Sequence, residues 1–118
     1  MALKFELLEN GTYAVSGKSR LELMLGDEAD IEETIIIPSE HDGKPVTEIK
    51  EYGFSGYEGT VIVPKTIKKI GQYALRRASI IIYMDTFEQF KNMLKKSYHV
   101  CVDVKQLICT DETIIYKK

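Results

Sequence analysis

One phrase occurs twice in this chain. IIIP at 35–38 precedes an apolar series at Val46, Ile49, Tyr52 and Phe54, and VIVP at 61–64 precedes Ile67, Ile70, Tyr73 and Leu75. The two series are related by a constant offset of 21, whereas Pro38 and Pro64 lie 26 apart. The first copy therefore carries five extra residues, most simply within 40–44. A repeat of about 21 residues cannot bury its apolar face alone and must stack on a neighbour. The expectation is a short solenoid with partner binding as its default role.

A length of 118 residues predicts a single domain with one modest core. Hydrophobic content of 44% and charged content of 29% are ordinary, and a formal charge of −2 points to neither nucleic acid nor membrane. The distribution is uneven. Residues 1–60 hold 13 acidic and 5 basic side chains; residues 61–118 hold 5 and 11. Stacking would turn that split into an acidic end and a basic end, either two passive solvated surfaces or a means of steering a charged partner. MALKFELLEN carries Lys4 and Glu6 and has no apolar core of signal-peptide length. No run approaches the ~20 apolar residues of a membrane span. Two cysteines, Cys101 and Cys109, are too few for a disulfide scaffold. These features predict a soluble, reduced, cytoplasmic protein, or an extracellular one if the chain is a trimmed piece of something longer.

Three parts are expected within the domain: an N-terminal hairpin and acidic cap over 1–33, the repeats over 34–85, and a helix-and-strand cap over 86–118. In LKFELLENGTYAVSG, Phe5, Leu7, Tyr13 and Val15 alternate with polar positions, and Asn10-Gly11 predicts a tight type I′ turn. A third strand is expected at 21–25, followed by an acidic loop containing Asp27, Glu28 and Asp30, whose spacing does not follow the EF-hand pattern. The β-branched runs 34–37, 60–63 and 79–83 read as strands, the first two ended by proline. Shorter strands are expected at 46–49 and 67–70. Thr86 and Gln89 have capping-box spacing, and Phe87, Phe90, Met93 and Leu94 make one apolar face, so 86–98 reads as a helix. Residues 100–104, 107–109 and 113–116 read as closing strands. The fold class is α+β, mostly β.

Together these phrases resemble the BspA-like leucine-rich repeat family. GTYAVSG resembles the family's opening hairpin, IIIPSEHDGKPVTEI and VIVPKTIKKIGQYAL its consecutive repeats, IIIYMDTFEQFKNM its strand-to-helix ending, and LICTDETI its closing "CtDGtI". The likeness covers roughly 11–115. It departs at Lys50, where glycine is usual, at Leu75 for Phe, at Phe90 for Trp and at Glu112 for glycine. The resemblance implies a leucine-rich-repeat-type solenoid, and family members are often long, surface-attached and adhesive. Two readings follow. One is a small non-catalytic interaction module, such as an intracellular inhibitor or adaptor encoded by a bacterium, phage or mobile element. The other is the C-terminal piece of a larger surface protein.

Candidates for chemistry are sparse. His41 and His99 share no repeated spacing with Cys or carboxylates, so no metal or cofactor and no enzymatic activity are expected. Cys101 and Cys109 would approach each other if 100–109 formed a hairpin. Lys65, Lys68, Lys69, Arg76 and Arg77, with Tyr73 among them, offer a weak nucleic-acid reading. The stronger site is apolar. Alternation along a strand sends Ile35, Ile37, Val61 and Val63 inward and Ile36 and Ile62 outward. The constant offset then places Tyr83 at the equivalent outer position of the third strand, beside Ile81, with Thr34 and Thr60 on the same face. Asp27, Glu28 and Asp30 on one side and Lys68, Lys69, Arg76 and Arg77 on the other are its expected charged flanks. Such a ladder predicts a protein partner or self-association, unless the 21–25 segment covers it.

Overall fold

A computed structural model describes residues 3–17, 34–94 and 99–116. Its strands are β1 (Lys4–Leu7), β2 (Tyr13–Ser16), β3 (Thr34–Ile36), β4 (Glu40–His41), β5 (Lys44–Ile49), β6 (Thr60–Val63), β7 (Lys69–Ile70), β8 (Ile80–Tyr83), β9 (Gln106–Ile108) and β10 (Thr113–Ile115). Helix α1 (Phe87–Leu94) follows β8. The first sheet runs β1-β2-β5-β4 with β7 also on β5; the second runs β10-β9-β8-β6-β3. The expected strand at 21–25 and the acidic loop lie outside the described residues.

The expected solenoid, and with it the leucine-rich-repeat architecture, is not what the chain builds. Antiparallel pairs β1–β2, β4–β5 and β9–β10 share sheets with the parallel pairs, so both sheets are mixed. The radius of gyration is 13.5 Å and the extents are 37 × 36 × 22 Å. About 13–14 Å is the value for a compact domain of this length, not for a rod that grows with each repeat. The reason is that two copies supply only the middle of each sheet. The N-terminal hairpin extends the first sheet and the β9–β10 hairpin extends the second, and both close over one core. That core joins Val15, Ile49, Phe54, Val61, Ile67, Leu75 and Ile81 to Phe90 and Leu107, all at most 3% exposed.

The repeat still sets local pairing. β6 lies parallel between β3 and β8, with Ile35 opposite Val61 and Val61 opposite Ile81. The five extra residues of the first copy are a hairpin: β4 turns into β5 through Asp42 (φ 49°) and Gly43 (φ 77°), the two left-handed residues of a type I′ turn. Asn10-Gly11 is not such a turn. Gly11 alone has positive φ, and Asn10 Oδ1 instead accepts hydrogen bonds from the Thr12 amide (3.0 Å) and hydroxyl (2.7 Å).

The 100–104 strand is also corrected. His99 (φ 58°) and Asp103 (φ 59°) bound a turn equivalent to Tyr73…Arg77 and Tyr52…Gly56, whose end residues all have positive φ. The turns stack through backbone hydrogen bonds, from Tyr52 N to Gln72 O (2.9 Å), Phe54 N to Ala74 O (2.9 Å) and Arg77 N to Val102 O (2.8 Å). Their first residues form an aromatic column: Tyr52 on Tyr73 at 5.2 Å and Tyr73 on His99 at 5.1 Å between ring centroids. Helix α1 begins where expected, with the Gln89 amide donating to Thr86 Oγ1 at 3.3 Å and Asp111 Oδ1 accepting from the Phe87 amide at 3.0 Å. Phe90 and Met93 are its buried face.

Candidate protein-binding face

The second sheet has one face in the core and one turned out. Ile35, Val61, Val63, Ile81, Tyr83, Leu107 and Cys109 point inward and are buried. Alternation puts the other side chains outside. Strand register assembles them into two rows. One row is Thr34, Thr60, Ile80, Gln106 and Ile115; the other is Ile36, Ile62, Ile82, Ile108 and Thr113. Met84 extends the face beyond β8. Ile36 is 66% exposed, Ile115 62% and Met84 51%, while Ile62, Ile80, Ile82 and Ile108 are half-buried between their neighbours. Six isoleucines and a methionine on one sheet surface form an unusually apolar exterior.

This arrangement corrects the expected ladder at two residues. Ile36, Ile62, Thr34 and Thr60 do share the outer face. Tyr83 and Ile81 do not. Tyr83 pairs with Val63 and is 3% exposed, its ring 5.3 Å from that of Phe90; Ile81 pairs with Val61 and is fully buried. The offset of 21 holds for the turns (Tyr52 to Tyr73, Gly56 to Arg77) but is 20 for the strands (Thr60 to Ile80). One residue is missing between turn and strand: Tyr57-Glu58-Gly59 in the first copy against Ala78-Ser79 in the second. A one-residue slip exchanges the two faces of a strand, so Ile80 and Ile82 take the outer positions. Ile108 and Ile115 were missed because β9 and β10 lie beyond the repeat. The inward pair Leu107 and Cys109 was the available signal.

The charged flanks divide. Asp27, Glu28 and Asp30 lie outside the described residues. Lys69 sits in β7 of the first sheet and pairs with Glu48 at 3.4 Å, and Lys68 precedes it, so neither borders the isoleucine face. Arg76 and Arg77 do. With Glu58, Ser79, Asp103 and Lys105 they line an open groove of about 520 Å³ at the N-terminal ends of β6, β8 and β9. There Arg77 donates to Glu58 Oε1 at 2.7 Å, and the Ser79 hydroxyl donates to the Glu58 carbonyl.

The reactive side chains are placed as follows. His41 stacks on Phe5 at 3.8 Å between centroids and meets Tyr13 edge-on at 4.9 Å, tying the β4–β5 hairpin to β1–β2. Cys101 and Cys109 are free thiols. Burial pushes Cys101 up to about 12, a rise that the Tyr116 hydroxyl opposes and Cys109 adds to. Burial, with Asp111 and Glu112 nearby, lifts Cys109 to about 11. Such thiols hold their protons at neutral pH and are poor nucleophiles. Among the described residues, no group of three His, Cys, Asp or Glu side chains could hold a metal ion, and no helix is long and apolar enough to cross a membrane.

Comparison with protein-family models, with curated proteins and with solved structures found no match, so the BspA-like resemblance rests on the quoted phrases alone.

Proposed function

We propose that the chain is a non-catalytic protein-binding module and that the outer face of the second sheet is its contact surface. The observation that carries this reading is the register-aligned set Ile36, Ile62, Ile82 and Ile108, flanked by Ile80, Ile115 and Met84. Burying apolar surface contributes roughly 25 cal/mol per Å² before the costs of association. A face of this composition therefore favours docking against another apolar protein surface.

The test is the double change Ile62→Glu with Ile82→Glu. Both side chains lie outside the core but are half-buried and paired in register, so two glutamates side by side should cost about 1–2 kcal/mol, a moderate fall in melting temperature that leaves the chain folded. Association of the chain with protein partners, including itself, should be lost, and with it the binding of an apolar dye such as ANS. A large fall in melting temperature would mean that the isoleucines are packed within the chain, and unchanged association would mean that contact lies elsewhere. Either result removes the proposal.

A further inference from the structure

The isoleucine face has a different charge at each end of its strands. At the N-terminal ends of β8 and β9 stands the groove of Arg76, Arg77, Lys105, Glu58 and Asp103. Arg77 and Glu58 neutralise each other at 2.7 Å, which leaves Arg76 and Lys105 against Asp103. At the opposite ends stand Asp85, Asp111 and Glu112, gathered by the hydrogen bond from Thr110 N to Asp85 O (3.0 Å) and by the Asp111 contact to the Phe87 amide (3.0 Å), with Lys65 just past β6. Among the described residues the face is thus apolar in the middle, positive at one rim and negative at the other.

A surface patterned in this way is complementary to itself in one orientation. Two copies can stack their sheets about a two-fold axis lying between them in two ways. An axis along the strands would set positive rim on positive rim. An axis across the strands reverses their direction, lays each strand over its own copy, and sets each positive rim on the partner's negative rim. Accepting the outer face as the binding surface, we infer that its occupant is a second copy of this chain, packed sheet on sheet with strands reversed so that β8 crosses β8 at the centre. Five strands about 4.8 Å apart and some four residues long, with their rims, bury on the order of 1,000 Å² in total, the low end for specific interfaces. The dimer should accordingly be weak and salt-sensitive.

Sedimentation equilibrium of the full chain at low salt, from low micromolar to near-millimolar concentration, tests this. The mass should rise from monomer to dimer, and Ile62→Glu with Ile82→Glu should hold it at monomer. Lys105→Glu and Glu112→Lys are exposed changes that leave the core alone, and circular dichroism confirms that each variant is folded. Each alone should weaken the dimer about tenfold or more, because like charges then meet twice. An equimolar mixture of the two should restore it, since the altered rims now attract each other. That restoration cannot arise from misfolding. A parent chain that stays monomeric throughout overturns the inference; if ANS still binds it and the isoleucine variant abolishes that binding while remaining folded by circular dichroism, the binding-face reading survives alone. Dimerisation without any effect of the charge changes overturns the proposed geometry. A melting temperature that collapses in the isoleucine variant overturns both readings.

Discussion

At the scale of single residues, equivalence in the repeat does not mean equivalence in constraint. Gly71 and Lys50 occupy matching positions, 21 apart. A Cβ on Gly71 would strike the backbone nitrogen of Glu51 and lie 2.6 Å from its Cα, because the second turn sits directly on the first. Gly71→Ala should therefore cost roughly 1–3 kcal/mol through enforced backbone displacement. Lys50 projects into solvent, bound to Glu6 at 2.8 Å, and Lys50→Ala should cost under about 1 kcal/mol, the range of an exposed ion pair. Urea denaturation of the two variants measures the difference, and equal costs would contradict the stacking geometry. The thiols give a pH prediction at the same scale. Cys101 is held at about 12 and Cys109 at about 11, against an ordinary 9.0. A raised pKa means that the folded chain binds the proton more tightly than the unfolded one. The resulting stabilisation is whole below pH 9 and drains away as pH rises toward the folded values. Melting temperature should fall from about pH 9 upward, and Cys101→Ala with Cys109→Ala should remove the part that sets in there. Tyr83 and Tyr116, both lifted to about 12 from 10.0 by burial, should preserve a decline beginning near pH 10.

At the scale of elements, α1 depends on side chains outside it. Thr86 Oγ1 receives the Gln89 amide and Asp111 Oδ1 receives the Phe87 amide, satisfying two of the free donors at the helix start. Thr86→Ala and Asp111→Ala should each cost about 0.5–2 kcal/mol. Chemical denaturation would show it, and a neutral Asp111→Ala would mean that the β9–β10 turn does not anchor the helix. Half of this arrangement was legible. The spacing of Thr86 and Gln89 announces a capped start, but Asp111 is 25 residues further on, and only the return of β9 and β10 brings it there. The same division runs through the sheets. β6 was read residue for residue, and the parallel neighbours of β6 were read from the repeat. The turn at His99–Asp103 was not, because HVCVD looks like a strand by composition, and its kinship with Tyr73–Arg77 lies in backbone dihedrals. The outer face was half legible for a sharper reason. Alternation within each strand was right, yet one fewer residue between Ala78 and β8 reversed the inference for Ile81 and Tyr83. Periodicity carries strand faces forward only as far as connection lengths are conserved.

At the scale of the molecule, the contrast between a stack of repeats and a closed domain becomes a statement about cooperativity. In a stack, each repeat contacts only its neighbours, and terminal repeats unravel independently. Here one apolar cluster runs from Val15 in β2 through Ile49, Val61, Ile81 and Phe90 to Leu107 in β9, so neither sheet can open without exposing the other's side chains. The aromatic column adds a second link, since Tyr52, Tyr73 and His99 join turns from three regions of the chain. Small domains with a single core unfold all at once. Urea unfolding followed by far-ultraviolet circular dichroism and by tyrosine fluorescence should therefore give coincident curves. Native-state hydrogen exchange sharpens the prediction. Amides of β5, flanked by β2, β4 and β7, and of β6 and β8, paired on both sides, should exchange only through global unfolding. Those of β1 and β10, each paired on one side only among the described residues, should open more readily. If β9 and β10 instead exchanged as a separate unit while β2 and β5 kept full protection, the common core would not be coupling the two sheets. The end hairpins would then be appendages rather than the elements that close the domain.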